Sequence, residues 1–155
     1  MFISIGSCCT VKYNIDKYTG PKATLFFDWL LTDMASVNAV LGSRNINTIL
    51  CCTNIVPSHP CPHSFNVSSQ ESQAKTARVR FQSLSYCESI HDLPASYNAS
   101  RLEHFIETYQ RRYQRFIDHV LHCQSIIYFI RKGMIAPEEK DTFIKTIQSI
   151  DPGCN

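Results

Sequence analysis

Between Ser100 and His122 the chain carries one continuous apolar stripe, and no other feature limits its fold as much. Leu102, Phe105, Ile106, Tyr109, Tyr113, Phe116, Ile117 and Val120 recur at helical spacing, which predicts a long helix with one wide apolar face. Ser100 stands as N-cap with Glu103 three residues on, the pattern of a capping box. His104, Arg111, Arg115, Asp118 and His122 fall on the opposite face. The reading for Arg111, Arg112 and Arg115 is a solvated face paired with Glu107 and Asp118. A helix this long cannot bury its stripe alone, so it must lie on a sheet or on other helices.

The rest of the chain supplies candidates for both. Phe2, Ile3 and Ile5 read as a short strand ending at Gly6-Ser7. Val11, Ile15 and Tyr18 then mark a short helix, with Ser7 placed to cap it and Gly20-Pro21 to stop it. Leu25 to Trp29 is a short strand or a buried loop, and a second helix runs from about Thr32 to Gly42. The segment "NTILCCTNIV" is a short strand or loop, and a Cys/Pro-rich excursion without periodicity occupies about residues 51–75. Ala77, Val79 and Phe81 alternate with Arg78, Arg80 and Gln82, the period of a strand with one polar face. Residues 87–100 read as a loop. "SIIYFIRKG" reads as a strand buried on both faces of a parallel sheet. Pro137, Glu138 and Glu139 open a last helix carrying Phe143, Ile144, Ile147 and Ile150. The expectation is a single α/β domain over residues 1–155, with a mostly parallel sheet between helices in three layers. One more strand would be expected after the last helix, so the sheet is expected to present an open edge.

Composition bounds the function. With 44% hydrophobic and 18% charged residues the chain is globular, and a formal net charge of +2 gives no reason to expect nucleic acid. No apolar run is long enough for a membrane span and no signal-peptide pattern opens the chain, so a cytoplasmic protein is expected. Eight cysteines are then expected to be reduced thiols. No phosphate-binding glycine motif occurs, and no cofactor is expected.

The chemistry begins at "SIGSCC", residues 4–9. A cysteine just after a strand and in the first turn of a helix meets the positive end of the helix dipole and unpaired N–H groups, which stabilise a thiolate. Gly6 lets the backbone turn sharply and approach a substrate closely. A sulfur nucleophile needs a base, and of six histidines His91 is the best placed, after a strand and before the capped helix. Asp28, set in the apolar run "LFFDWLL", must be hydrogen-bonded or functional and could orient the imidazole.

"SIGSCC", "FFDWLL", the His91-Asp92 pair, the helix "YQRRYQRF" and the run "IIYFIRKG", in that order, resemble the putative papain-like cysteine peptidase family. The family pattern is Ser-Leu-Gly-x-x-Cys, then Pro-Phe-Asp-Trp, then His-Asp. Ser4, Gly6 and Cys9 match the first motif; Phe27, Asp28 and Trp29 match the second, with Phe26 where the family has proline; His91 and Asp92 match the third. The resemblance implies Cys9 as nucleophile on an acyl or peptide substrate, with His91 as base and then acid.

Two other readings compete. Cys51, Cys52, His59, Cys61 and His63 could hold zinc, although "HPCPH" lacks the spacing of common zinc modules. Alternatively the fold is a non-catalytic module that binds a protein partner at its open sheet edge.

Overall fold

The computed structural model describes residues 1–43, 45–58, 76–94 and 97–151. In chain order the elements are β1 (Phe2–Ser4), α1 (Cys9–Thr19), β2 (Leu30–Thr32), α2 (Met34–Gly42), β3 (Ile55–Pro57), β4 (Thr76–Phe81), β5 (Cys87–Pro94), α3 (Ala99–Leu121), β6 (Tyr128–Ile130) and α4 (Pro137–Ile150). The class is α/β, but the mostly parallel three-layer arrangement is not what forms. The larger sheet has order β2-β5-β4-β3 and is antiparallel throughout, while parallel pairing is confined to a separate β1-β6 pair.

The reason lies in residues 87–94, which form β5 and not a loop. Residues 82–86 alone join β4 to β5, far short of the dozen or more that a parallel crossover requires, so the two strands form a hairpin. Asn54 fixes this turn by donating to Ser83 Oγ at 2.7 Å and accepting from the Ser83 amide at 2.6 Å. The hairpin is irregular. Val79 pairs with Ser89, but Ala77 pairs with Leu93, so Ile90, His91 and Asp92 stand opposite Arg78 alone. That bulge resets which side chains of β5 face the core.

The α3 stripe packs as its spacing requires. Phe105, Tyr109, Phe116 and Val120 are buried, and Leu102, Ile106, Tyr113 and Ile117 pack at the margin. Phe26 meets Tyr109 edge-on at 5.6 Å and Phe27 meets Phe116 at 5.4 Å, so residues 25–28 form a buried turn in the core. The cap of α3 is Asn98, whose side chain accepts from the Arg101 amide, rather than Ser100. Both residues are common caps, and spacing alone does not choose between them. The second helix begins at Met34 with Asp33 as its cap, and Thr32 belongs to β2.

The β1-β6 pair is covered on one side by the core, where Phe129 meets Phe143 at 5.1 Å. Its other side is open at β6: Phe2 and Tyr128 stack at 5.2 Å and are half exposed. The apolar run 126–130 is therefore not buried on both faces. Among the described residues no helix is long and apolar enough to cross a membrane.

Candidate active site

The turn from β1 into α1 holds two consecutive residues of positive φ, Gly6 at 80° and Ser7 at 79°. A Cβ on Gly6 would lie 2.1 Å from Thr32 Oγ1, so the turn touches β2 directly and only glycine fits. Thr32 Oγ1 accepts from the Ser7 amide at 3.2 Å and from Arg131 Nη1 at 3.1 Å. Arg131 also donates to the carbonyls of Ile5 at 3.0 Å and Thr32 at 2.5 Å, joining the two sheets through one guanidinium. Ser7 does not cap α1; its hydroxyl accepts from the Lys132 amide at 3.1 Å.

This turn delivers two thiols. Cys8 is the N-cap residue of α1, with extended backbone and no side-chain capping bond of good geometry. Burial opposes ionisation of its sulfur. The hydroxyl of Thr10, the amides of Thr10 and Val11 and the Ser7 hydroxyl outweigh it and bring the thiol below its ordinary value. Cys9 is the first helical residue and is pushed the other way. Burial raises its thiol above the ordinary value, its own amide offsets part of this, and charge on Cys8 and Asp92 adds to the rise.

The β5 bulge supplies the other half of the site. His91 is exposed and has no hydrogen-bond or ionic partner among the described residues; its ring meets the half-buried Trp29 edge-on at 6.4 Å. Asp92 turns inward. Its carboxylate accepts from Arg112 at 2.9 Å, Tyr109 at 2.6 Å and Ser89 at 3.2 Å. Burial favours the neutral acid, but the Arg112 guanidinium and the two hydroxyls outweigh it and hold the carboxyl below its usual range. Burial and the facing carboxylate push Tyr109 well above its ordinary value, so it stays a donor. Arg112 also lies over the Tyr109 ring at 4.8 Å.

Asp28 does not reach His91. It accepts from the Leu25 amide at 2.7 Å and faces the Lys12 ammonium at 3.5 Å, both side chains being buried. Lys12 also donates to Asp16 at 2.8 Å, so this cluster fastens α1 to the turn at residues 25–28. Burial raises the Asp28 carboxyl above its usual value despite these partners.

The structure thus brings Cys9 within electrostatic reach of Asp92, puts His91 beside Trp29, and leaves Asp28 in a structural ion pair. No hydrogen bond joins Cys9 to His91. Arg112 and Arg115 are not on a solvated face as the stripe suggested: Arg112 binds Asp92, and Arg115 donates to the Thr24 carbonyl at 2.8 Å. Neither pairs with Glu107 or Asp118. The signal for Arg112 was its place three residues after Tyr109, on the stripe's own side.

A family model described as putative papain-like cysteine peptidase matches residues 1–151. The chain belongs to that family. No curated protein and no solved structure matches the chain. Membership in the papain-like peptidase family supports cysteine-dependent hydrolysis at the level of reaction class. Of the candidate zinc ligands, Cys51 and Cys52 carry free thiols, and Cys51 lies 3.3 Å from Thr53 Oγ1. His59, Cys61 and His63 lie outside the described residues. Among the described residues no cluster could hold a metal ion.

Proposed function

We propose that the protein is a Cys-His acyl hydrolase in which Cys9 is the nucleophile and His91 the general base. What supports this reading is membership of the family together with one electrostatic link: Cys9, at the first position of α1, feels the charge of Asp92, the residue that follows His91 in the β5 bulge. The raised Cys9 thiol means that the resting nucleophile is protonated, so catalysis requires the base at the moment of attack. The Cys9 sulfur forms a bond to the acyl carbon as its proton passes to the His91 imidazole. The imidazolium then protonates the leaving group as its bond to the acyl carbon breaks, which leaves the acyl group on Cys9 as a thioester. Water, deprotonated by His91, cleaves the thioester and releases the carboxylic acid with the thiol restored. Asp92, held by Arg112 and Tyr109, fixes the bulge that presents His91 and keeps a negative charge near the imidazolium.

A second reading has one observation in its favour: the thiol lowered toward thiolate is Cys8, at the N-cap. Acetylation by p-nitrophenyl acetate, located by peptide mass spectrometry, separates the two. The first reading expects the acetyl group on Cys9, with His91→Ala slowing its formation about 10²–10⁴-fold. Acetylation of Cys8 that survives Cys9→Ser would favour the second. Equal labelling of Cys9 and the distant Cys123 would dispose of both.

A further inference from the structure

On the open side of the β1-β6 pair, beside α1, lies a groove of about 470 Å³, within the range of small-molecule sites. Its floor is Phe2 from β1, Ile130 from β6, and Val11, Ile15 and Tyr18 from α1. The charged residues that line it are Arg131 and Lys132, with no carboxylate among them. Arg131 is consumed by the Ile5 carbonyl and by Thr32. The Lys132 ammonium is exposed and has no partner among the described residues. Thr10 lines the same end of the groove, directly after Cys9, and the Lys132 amide is tied to Ser7 of the β1-α1 turn. From Thr10 to Thr19 the wall of the groove follows α1 for about 14 Å at a rise of about 1.5 Å per residue.

From this we infer that the groove binds a medium-chain alkyl carboxylate, its chain along α1 and its carboxylate on Lys132. The floor offers apolar contact along its length, and the one free charge is a cation at the end nearest the thiols. A carboxylate on an alkyl chain complements both. As a binding site the groove stands alone; as a substrate site it rests on the acyl-hydrolase reading above, whose product would be that carboxylate.

The test uses dodecanoate and dodecylamine, which share a chain and differ in charge, titrated calorimetrically below their micelle concentrations into the Cys9→Ser protein. Saturable one-to-one binding of dodecanoate is expected, at least tenfold tighter than dodecylamine, with the preference reversed in Lys132→Glu. Retained thermal unfolding of Lys132→Glu shows that the exposed site alone has changed. Equal affinity for both probes, or no saturable binding, overturns the inference. So does adsorption to anionic vesicles without binding of monomeric dodecanoate, or binding of a hydrophobic peptide indifferent to Lys132→Glu. Wild-type turnover of p-nitrophenyl dodecanoate against the acetate ester then tests the enzyme reading separately. Binding without turnover leaves the groove intact and removes the hydrolase. Turnover with no preference for the longer chain removes the groove as its substrate site.

Discussion

Gly6 and Gly20 share φ of +80° but not surroundings, so alanine at each separates backbone strain from contact. A positive φ costs a residue with a Cβ about 1–3 kcal/mol, and Gly20, with ψ of 156°, stands in a region that is almost wholly glycine's. Around Gly20 a Cβ meets nothing within 4 Å, and Gly20→Ala should cost that amount alone. At Gly6 the new carbon would sit 2.1 Å from Thr32 Oγ1, which must move. The displacement sacrifices the bond from the Ser7 amide, worth about 1 kcal/mol, and the bond from the Arg131 guanidinium, worth about 1.5–3 kcal/mol. Gly6→Ala should therefore cost about 3.5–7 kcal/mol, a large part of the roughly 5–15 kcal/mol that stabilises a domain. Urea unfolding followed by the fluorescence of Trp29, the sole tryptophan, measures both. At about 2–4 °C per kcal/mol, Gly6→Ala should lower Tm by at least about 7 °C. In a Thr32→Ala background the excess at Gly6 should largely vanish. Equal losses at the two glycines, or an excess at Gly6 indifferent to Thr32→Ala, would refute the reasoning.

Lys12→Met leaves the buried Asp28 carboxylate unpaired and should cost about 3–5 kcal/mol, while Lys12→Met with Asp28→Leu should recover much of it; urea midpoints of the three variants decide. Asp92 has a folded pKa below its unfolded value of about 3.9, so its ionised form adds stability above about pH 4 that is lost as pH falls through the folded value. Arg112→Met should flatten that acid limb, and urea midpoints taken from pH 6 to pH 2 in both proteins will show whether it does.

Much of this fold was legible where periodicity spoke. The α3 stripe, the glycine stop of α1, the proline start of α4 and the β4 alternation all reflect local geometry that side-chain spacing records. What spacing could not record is pairing. Nothing in "CESIHDLP" alternates cleanly, because the bulge at Ile90 to Asp92 breaks the period that would have marked β5. Without β5 the hairpin is invisible, and the remaining strands suggest a parallel sheet. For the candidate site, motif order singled out Cys9, His91 and Asp92. Asp28 was recognised as a buried carboxylate needing a partner, but the partner proved to be Lys12, a charged residue that periodicity assigns to no core. Arg131 belongs to the run "IIYFIRKG" and Thr32 follows "FFDWLL", but neither pattern assigns them a task; only tertiary structure does.

Cys9 opens the helix that follows β1, His91 stands on β5 of the other sheet, and no backbone ladder runs between those sheets. Across that seam reach the guanidinium of Arg131 and the hydroxyl of Thr32. A spacing held by side chains can be adjusted in small steps. Lengthening, shortening or removing one such group would move thiol relative to imidazole while each sheet keeps its own register. Divergence in reactivity among related chains could then proceed by substitution at the seam, with both scaffolds inherited unchanged.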